Sequence, residues 1–111
     1  MLSTELTNWI AKQRLVLDRL AAFQNEREAM FAQTTKLTEE VGELAEAVIA
    51  LHKLQRADKT SDDLHEHLAE ECADVIITTL IIADRVALDI NGALAKKIEK
   101  INARFSTTPA A

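Results

Sequence analysis

Two glycines and one proline are the only strong backbone breakers in this chain of 111 residues. The proline, Pro109, stands in the closing "STTPAA". Glycine frees the backbone for turns and proline removes a helical donor, so a chain this poor in both, with 48% hydrophobic residues, is expected to be mostly helical. Polar clusters then have to mark the helix ends.

Read this way, the chain divides into four helices. The first runs from about Ser3 or Thr4, either a fitting N-cap, to about Ala22, with Leu6, Ile10, Leu17 and Leu20 on an apolar face. The second starts at Asn25, where "NERE" has the shape of a capping box with Glu28 at its third helical position, and continues to about Arg56. Along it Met30, Thr34, Leu37, Val41, Leu44, Val48 and Leu51 step alternately by four and three, the period of a bundle seam. "RADKTSDD" supplies a polar break with Thr60 or Ser61 as cap, and the third helix follows from about Asp62 to Leu88. Its middle, "VIITTLIIA", is apolar nearly all round; a helical pattern of more than twenty residues without a turn signal makes it a central helix rather than a strand. Asp89 caps a shorter fourth helix to about Phe105, and residues 106–111 read as a frayed tail. The expectation is one all-α domain over residues 1–111, a four-helix bundle. So apolar a third helix also calls for further cover, hence a homodimer or tetramer.

Charge excludes several function classes. A net charge of −5 and a pI near 5.1 do not suit a nucleic-acid polymer binder, which displaces counterions with a basic surface. A single cysteine, Cys72, allows no intrachain disulfide. There is no basic-then-apolar leader and no apolar run near the ~18 residues that span a bilayer. A cytoplasmic protein with no membrane partner is the expectation.

The acids are not spread evenly. "KLTEEVGELAEAV" places Glu39, Glu40, Glu43 and Glu46 within about two turns, although like charges three and four residues apart repel by a few tenths of a kcal/mol per pair. At about 100° per residue Glu39, Glu40 and Glu43 share one side of the helix, and Glu40 borders the Leu37, Val41, Leu44 seam. On the third helix "LAEECADVII" repeats the three-residue spacing with Glu71 and Asp74 at the edge of the most apolar segment, where acids are rarely left unpaired. If these helices pack antiparallel, two carboxylate pairs face one another. Four oxygen ligands without cysteine or histidine suit a hard cation, Mg2+ or Mn2+, which keeps waters and accepts phosphate oxygens. From Thr38 to Asp74 there are 11 acids and 3 bases; beyond Ile90 there are 4 bases and 1 acid. One end suits a metal, the other a polyphosphate.

"EEVGE" at Glu39 to Glu43, then 27 residues, then "ECAD" at Glu71 to Asp74, resembles the EExxE…ExxD signature of the MazG-like all-α nucleoside triphosphate pyrophosphohydrolases. "DINGALAKKIEKINARF" is similar to that family's closing helix, so the resemblance covers roughly residues 26–105. It implies helical dimers or tetramers that hydrolyse (deoxy)nucleoside triphosphates to monophosphate and pyrophosphate with Mg2+, in nucleotide house-cleaning. By position it implies Glu40, Glu43, Glu71 and Asp74 as metal ligands and Glu39 as a candidate base for the attacking water, though any of the five can be the base. Lys36, Lys97, Lys100 and Arg104 become candidate phosphate contacts, with helix-end charge complementing the dipole as the plainer reading. Trp9 and Phe31 are candidates to stack on a nucleobase, against core packing as the commoner use of an aromatic at helical spacing.

Other readings stay open. A di-iron carboxylate bundle needs Glu-x-x-His pairs, and His52, His65 and His67 form none. A zinc site joining the His65 and His67 pair to Cys72 is disfavoured, because two-residue spacing puts the two histidines on different helix faces. A noncatalytic interaction bundle, its acids merely solvated, is permitted by the heptad seam alone; against it stands the coincidence of two spaced acid pairs, one abutting the most apolar helix.

Overall fold

The computed structural model describes residues 1–53 and 60–106. Among them there are four helices and no strand: α1 Thr4–Ala21, α2 Glu26–Lys53, α3 Ser61–Arg85 and α4 Ile90–Ser106. No described helix is long and apolar enough to cross a membrane.

The helix starts follow the local chemistry of their caps. Ser3 accepts from the Leu6 amide at 3.1 Å, and Asn25 Oδ1 accepts from the Glu28 amide at 2.8 Å. Glu28 reaches back one residue beyond the expected partner, to the Gln24 amide at 3.2 Å. Thr60 and Asp63 form a reciprocal capping box at the start of α3. Asp89 Oδ1 accepts from the Gly92 amide at 3.0 Å, and a Cβ on residue 92 would run into that same carboxylate.

One helix end differs from expectation. The extension of α2 to Arg56 lies outside the described residues, as does most of the 106–111 tail. The third helix stops at Arg85, three residues before Leu88, because Ala87 turns left-handed (φ 54°) and the Leu88 amide closes back onto the Ala83 carbonyl at 3.0 Å. Such a stop usually announces itself by glycine at the left-handed position. Here, and again at Ala22 (φ 50°), alanine adopts it.

The α2 and α3 helices form an antiparallel hairpin, and α1 lies against α3. Between α1, α3 and the start of α4 sits the apolar core, in which buried Ile10, Leu80 and Ile81 gather Leu2, Leu6, Leu17, Ile77 and Ile90. Paired bonds join Leu2 to the Asn91 side chain: the Leu2 amide donates to Oδ1 at 2.9 Å and Nδ2 to the Leu2 carbonyl at 3.4 Å. Ion pairs fix α1 on α3: Arg14 Nε to Asp84 Oδ2 and Arg85 Nη2 to Asp18 Oδ1, each 2.6 Å.

Two expectations about packing are corrected. The expected α2 seam is half wrong: Val41 is 47% exposed and Val48 40%, and Thr34 is exposed too. The buried positions are Ala29, Gln33, Glu40 and Ala47. On α2 Gln33, Glu40 and Ala47 recur every seven residues, as do Leu64, Glu71 and Thr78 on α3, all buried. An apolar count misses this stripe because four of its six residues are polar. Nor do the four helices close into a bundle within one chain, since α4 has no buried residue and does not pack lengthwise on any other helix. The radius of gyration is 17.8 Å, against the ~13 Å expected of a compact chain this long.

Candidate functional site

The antiparallel hairpin brings Glu40 and Glu43 of α2 to Glu71 of α3. Each offers a carboxylate oxygen, and those atoms all lie within 4.8 Å of one another. Glu40 and Glu71 belong to the buried stripe, whereas Glu43, one turn on, stands at its exposed edge. The cluster therefore opens to solvent on one side and is closed on the other. Both Glu40 Oε2 and Glu71 Oε2 are buried without a hydrogen-bond partner. An unpaired buried carboxylate oxygen costs on the order of 1–3 kcal/mol or more, so two of them in one carboxylate cluster are what a cation would satisfy. All-oxygen donors fit a hard divalent ion.

The other oxygens have partners on their own helices. Glu40 Oε1 accepts from Lys36 Nζ at 3.0 Å, four residues earlier on α2. Glu71 Oε1 lies 3.8 Å from His67 Nε2, four residues earlier on α3. The hydrogen bond to Glu40 is the main cause that raises the Lys36 pKa. Repulsion from Glu40, then from Glu71, raises that of Glu43.

A stability test follows from that repulsion. Because Glu43 holds its proton more tightly folded than unfolded, its contribution favours the fold at low pH and is lost as pH rises through the raised pKa. Glu43→Gln should therefore raise the melting temperature in chelator at pH 7, with the gain shrinking in acid. A lower melting temperature at pH 7 would contradict the repulsion.

The remaining expected site residues divide as follows. Glu39 is exposed, 3.8 Å from Lys36 Nζ. Asp74 is exposed on α3 and outside the three-carboxylate group. Lys97, Lys100 and Arg104 lie on exposed positions of α4, which does not pack lengthwise on α2 or α3, so the fold of one chain does not gather them with the carboxylates. Trp9 and Phe31 are exposed, Phe31 by 62% beneath the Arg27 guanidinium at 5.5 Å, so neither is a core aromatic in this chain. His67, weighed from the sequence only for a zinc site with Cys72, stands four residues before Glu71, the spacing of Lys36 to Glu40.

The family model described as MazG nucleotide pyrophosphohydrolase domain matches residues 30–107, more than half of the chain. No curated protein and no solved structure matches it.

Proposed function

Because the chain belongs to the MazG nucleotide pyrophosphohydrolase family, we propose that it hydrolyses (deoxy)nucleoside triphosphates to the monophosphate and pyrophosphate, with Mg2+ or, in its place, Mn2+. The observation that carries this reading is the pair of buried, unpartnered oxygens of Glu40 and Glu71 beside Glu43. A buried carboxylate pair of this kind serves no packing purpose, since apolar residues of similar volume would stabilise the hairpin at least as well.

In this proposal Glu40, Glu43 and Glu71 hold the cation, and Asp74, three residues beyond Glu71, turns in as a fourth oxygen. A divalent ion there acidifies water and offsets phosphate charge. Glu39 is exposed and next to the cluster, so it is placed to take the proton of the attacking water. Lys36 neutralises substrate oxygens from the α2 side. Lys97, Lys100 and Arg104 are the cations for the departing pyrophosphate, and Trp9 and Phe31 the surfaces on which a base can stack. Incubation with a panel of nucleoside triphosphates, products resolved by phosphorus NMR, should give monophosphate and pyrophosphate only when Mg2+ or Mn2+ is present. No turnover of any triphosphate would favour the noncatalytic interaction protein.

The same reading includes a homo-oligomer, dimer or tetramer, acting in the cytoplasm to clear unwanted nucleotides. Its support is the surface that one chain leaves bare: Leu94, Ile98, Ile101 and Phe105 follow one face of α4, and Val41, Val48 and Ile76, 54% exposed, lie on the hairpin. Light scattering should give at least twice the 12.3 kDa of one chain. A mass of one chain would overturn the assembly.

A further inference from the structure

We propose that the Lys36 ammonium is a tethered counter-cation of the carboxylate cluster, which a divalent ion displaces from Glu40 and so frees to bind the triphosphate; this rests on the metal-dependent reading above.

Three carboxylates with oxygens within 4.8 Å need compensating charge when no metal is bound. The two α2 contacts that supply it come from one group: Lys36 Nζ lies 3.0 Å from Glu40 Oε1 and 3.8 Å from Glu39 Oε2. On α3 the corresponding group is the His67 ring, at the longer distance of 3.8 Å from Glu71. The geometry of the Lys36 contact is that of a charge-assisted hydrogen bond, whereas that of His67 is too long for one.

Glu40 is 8% exposed at its side chain, so little water reaches its oxygens. Its Oε1 is taken by the ammonium and its Oε2 is unpartnered. A divalent ion drawing on this carboxylate would place two positive charges against its oxygens, and an ammonium paired with the same group would then be repelled. Lys36 can leave cheaply because its side chain is 55% exposed and sits on a flexible stem. Released, it stands at the open edge of the site as a mobile positive charge. Metal and triphosphate binding are thereby coupled: the ion removes the lysine from the carboxylate, and the phosphate then finds it free.

Removing the lysine should thus move the two affinities in opposite directions. By calorimetry, Lys36→Met should bind Mn2+ alone roughly fivefold more tightly than the parent chain, while an α,β-imido deoxynucleoside triphosphate at saturating Mn2+ should bind roughly fivefold more weakly. Lys36→Arg keeps the charge and grips the carboxylate with a planar fork, so it should show no gain in Mn2+ affinity. In the parent chain, the lysine ammonium signal that Lys36→Met removes should be protected from exchange in chelator and lose that protection with Mg2+. Unchanged or weaker Mn2+ binding by Lys36→Met, with the parent chain binding normally, would overturn the displacement alone and make Lys36 a fixed positioning residue for Glu40. If the parent chain itself bound no divalent ion, the metal-dependent reading would fall with it.

Discussion

Glu71→Gln is expected to lower kcat/KM by roughly a hundred- to a thousandfold, the loss of several kcal/mol of charge stabilisation at about 1.4 kcal/mol per factor of ten. Glu71 sits in the buried stripe of α3 with one oxygen unpartnered, so glutamine fits its space but removes the negative charge and replaces one of the two oxygens with an NH2 group that cannot ligate a hard cation. Divalent-ion and nucleotide affinity should fall together. Glu39, exposed and outside the three-carboxylate group, gives the contrast. Glu39→Gln should spare Mn2+ binding and lower mainly kcat, the pattern of a group that acts on the reacting water. Equal loss of metal affinity in both variants would make Glu39 an ordinary ligand. The same comparison has a stability arm: bound ion raises the melting temperature by mass action, and that rise should vanish in Glu43→Gln/Glu71→Gln.

The largest stability effect is expected far from the carboxylates, at the other end of α3. The Arg85 side chain is 0% exposed, held by Asp18 at 2.6 Å, with Glu26 at 3.6 Å and the Phe23 ring at 5.5 Å. Its Nε and Nη1 have no hydrogen-bond partner. Asp18→Ala therefore leaves a buried guanidinium that already has unmet donors with only the long contact to exposed Glu26, and should destabilise the fold by about 3 kcal/mol. For a domain of this size that is on the order of 15 °C in melting temperature. Arg85→Met should cost less, because methionine keeps much of the apolar contact and the Asp18 carboxylate left behind is one-third exposed and can hydrate. The reverse order in thermal melts would mean that the pair is held by the carboxylate's surroundings instead of the arginine's burial.

How much of this was legible in the sequence depends on the kind of signal. The starts of the helices were readable because Ser3, Asn25, Thr60 and Asp89 act through bonds to amides three residues away. The end of α3 was not, since its left-handed residue is Ala87 and nothing distinguishes that alanine locally. Glu40 and Glu71 could be placed on facing helices only on the condition that α2 and α3 pack antiparallel. Their burial could not, because it depends on a hairpin register that aligns two polar heptad stripes, and an apolar seam through Val41 and Val48 was the stronger periodic signal. The same limit applies to α4: its cap and extent were readable, but whether its apolar face meets α2, α3 or another copy is a tertiary matter. Lys36 was placed beside Glu40 by helical geometry, and the 3.0 Å bond between them is the local outcome of that four-residue spacing. The identical relation of His67 to Glu71 was equally available.

The position of bond cleavage tests the central proposal most directly. Attack at the α-phosphorus expels the β and γ groups together, and Lys97, Lys100 and Arg104 are the cations proposed to stabilise that departing pyrophosphate. In 18O-water with Mg2+, a deoxynucleoside triphosphate should yield monophosphate carrying the label and pyrophosphate without it. Diphosphate and orthophosphate as products, or label in the pyrophosphate, would contradict the proposed reaction.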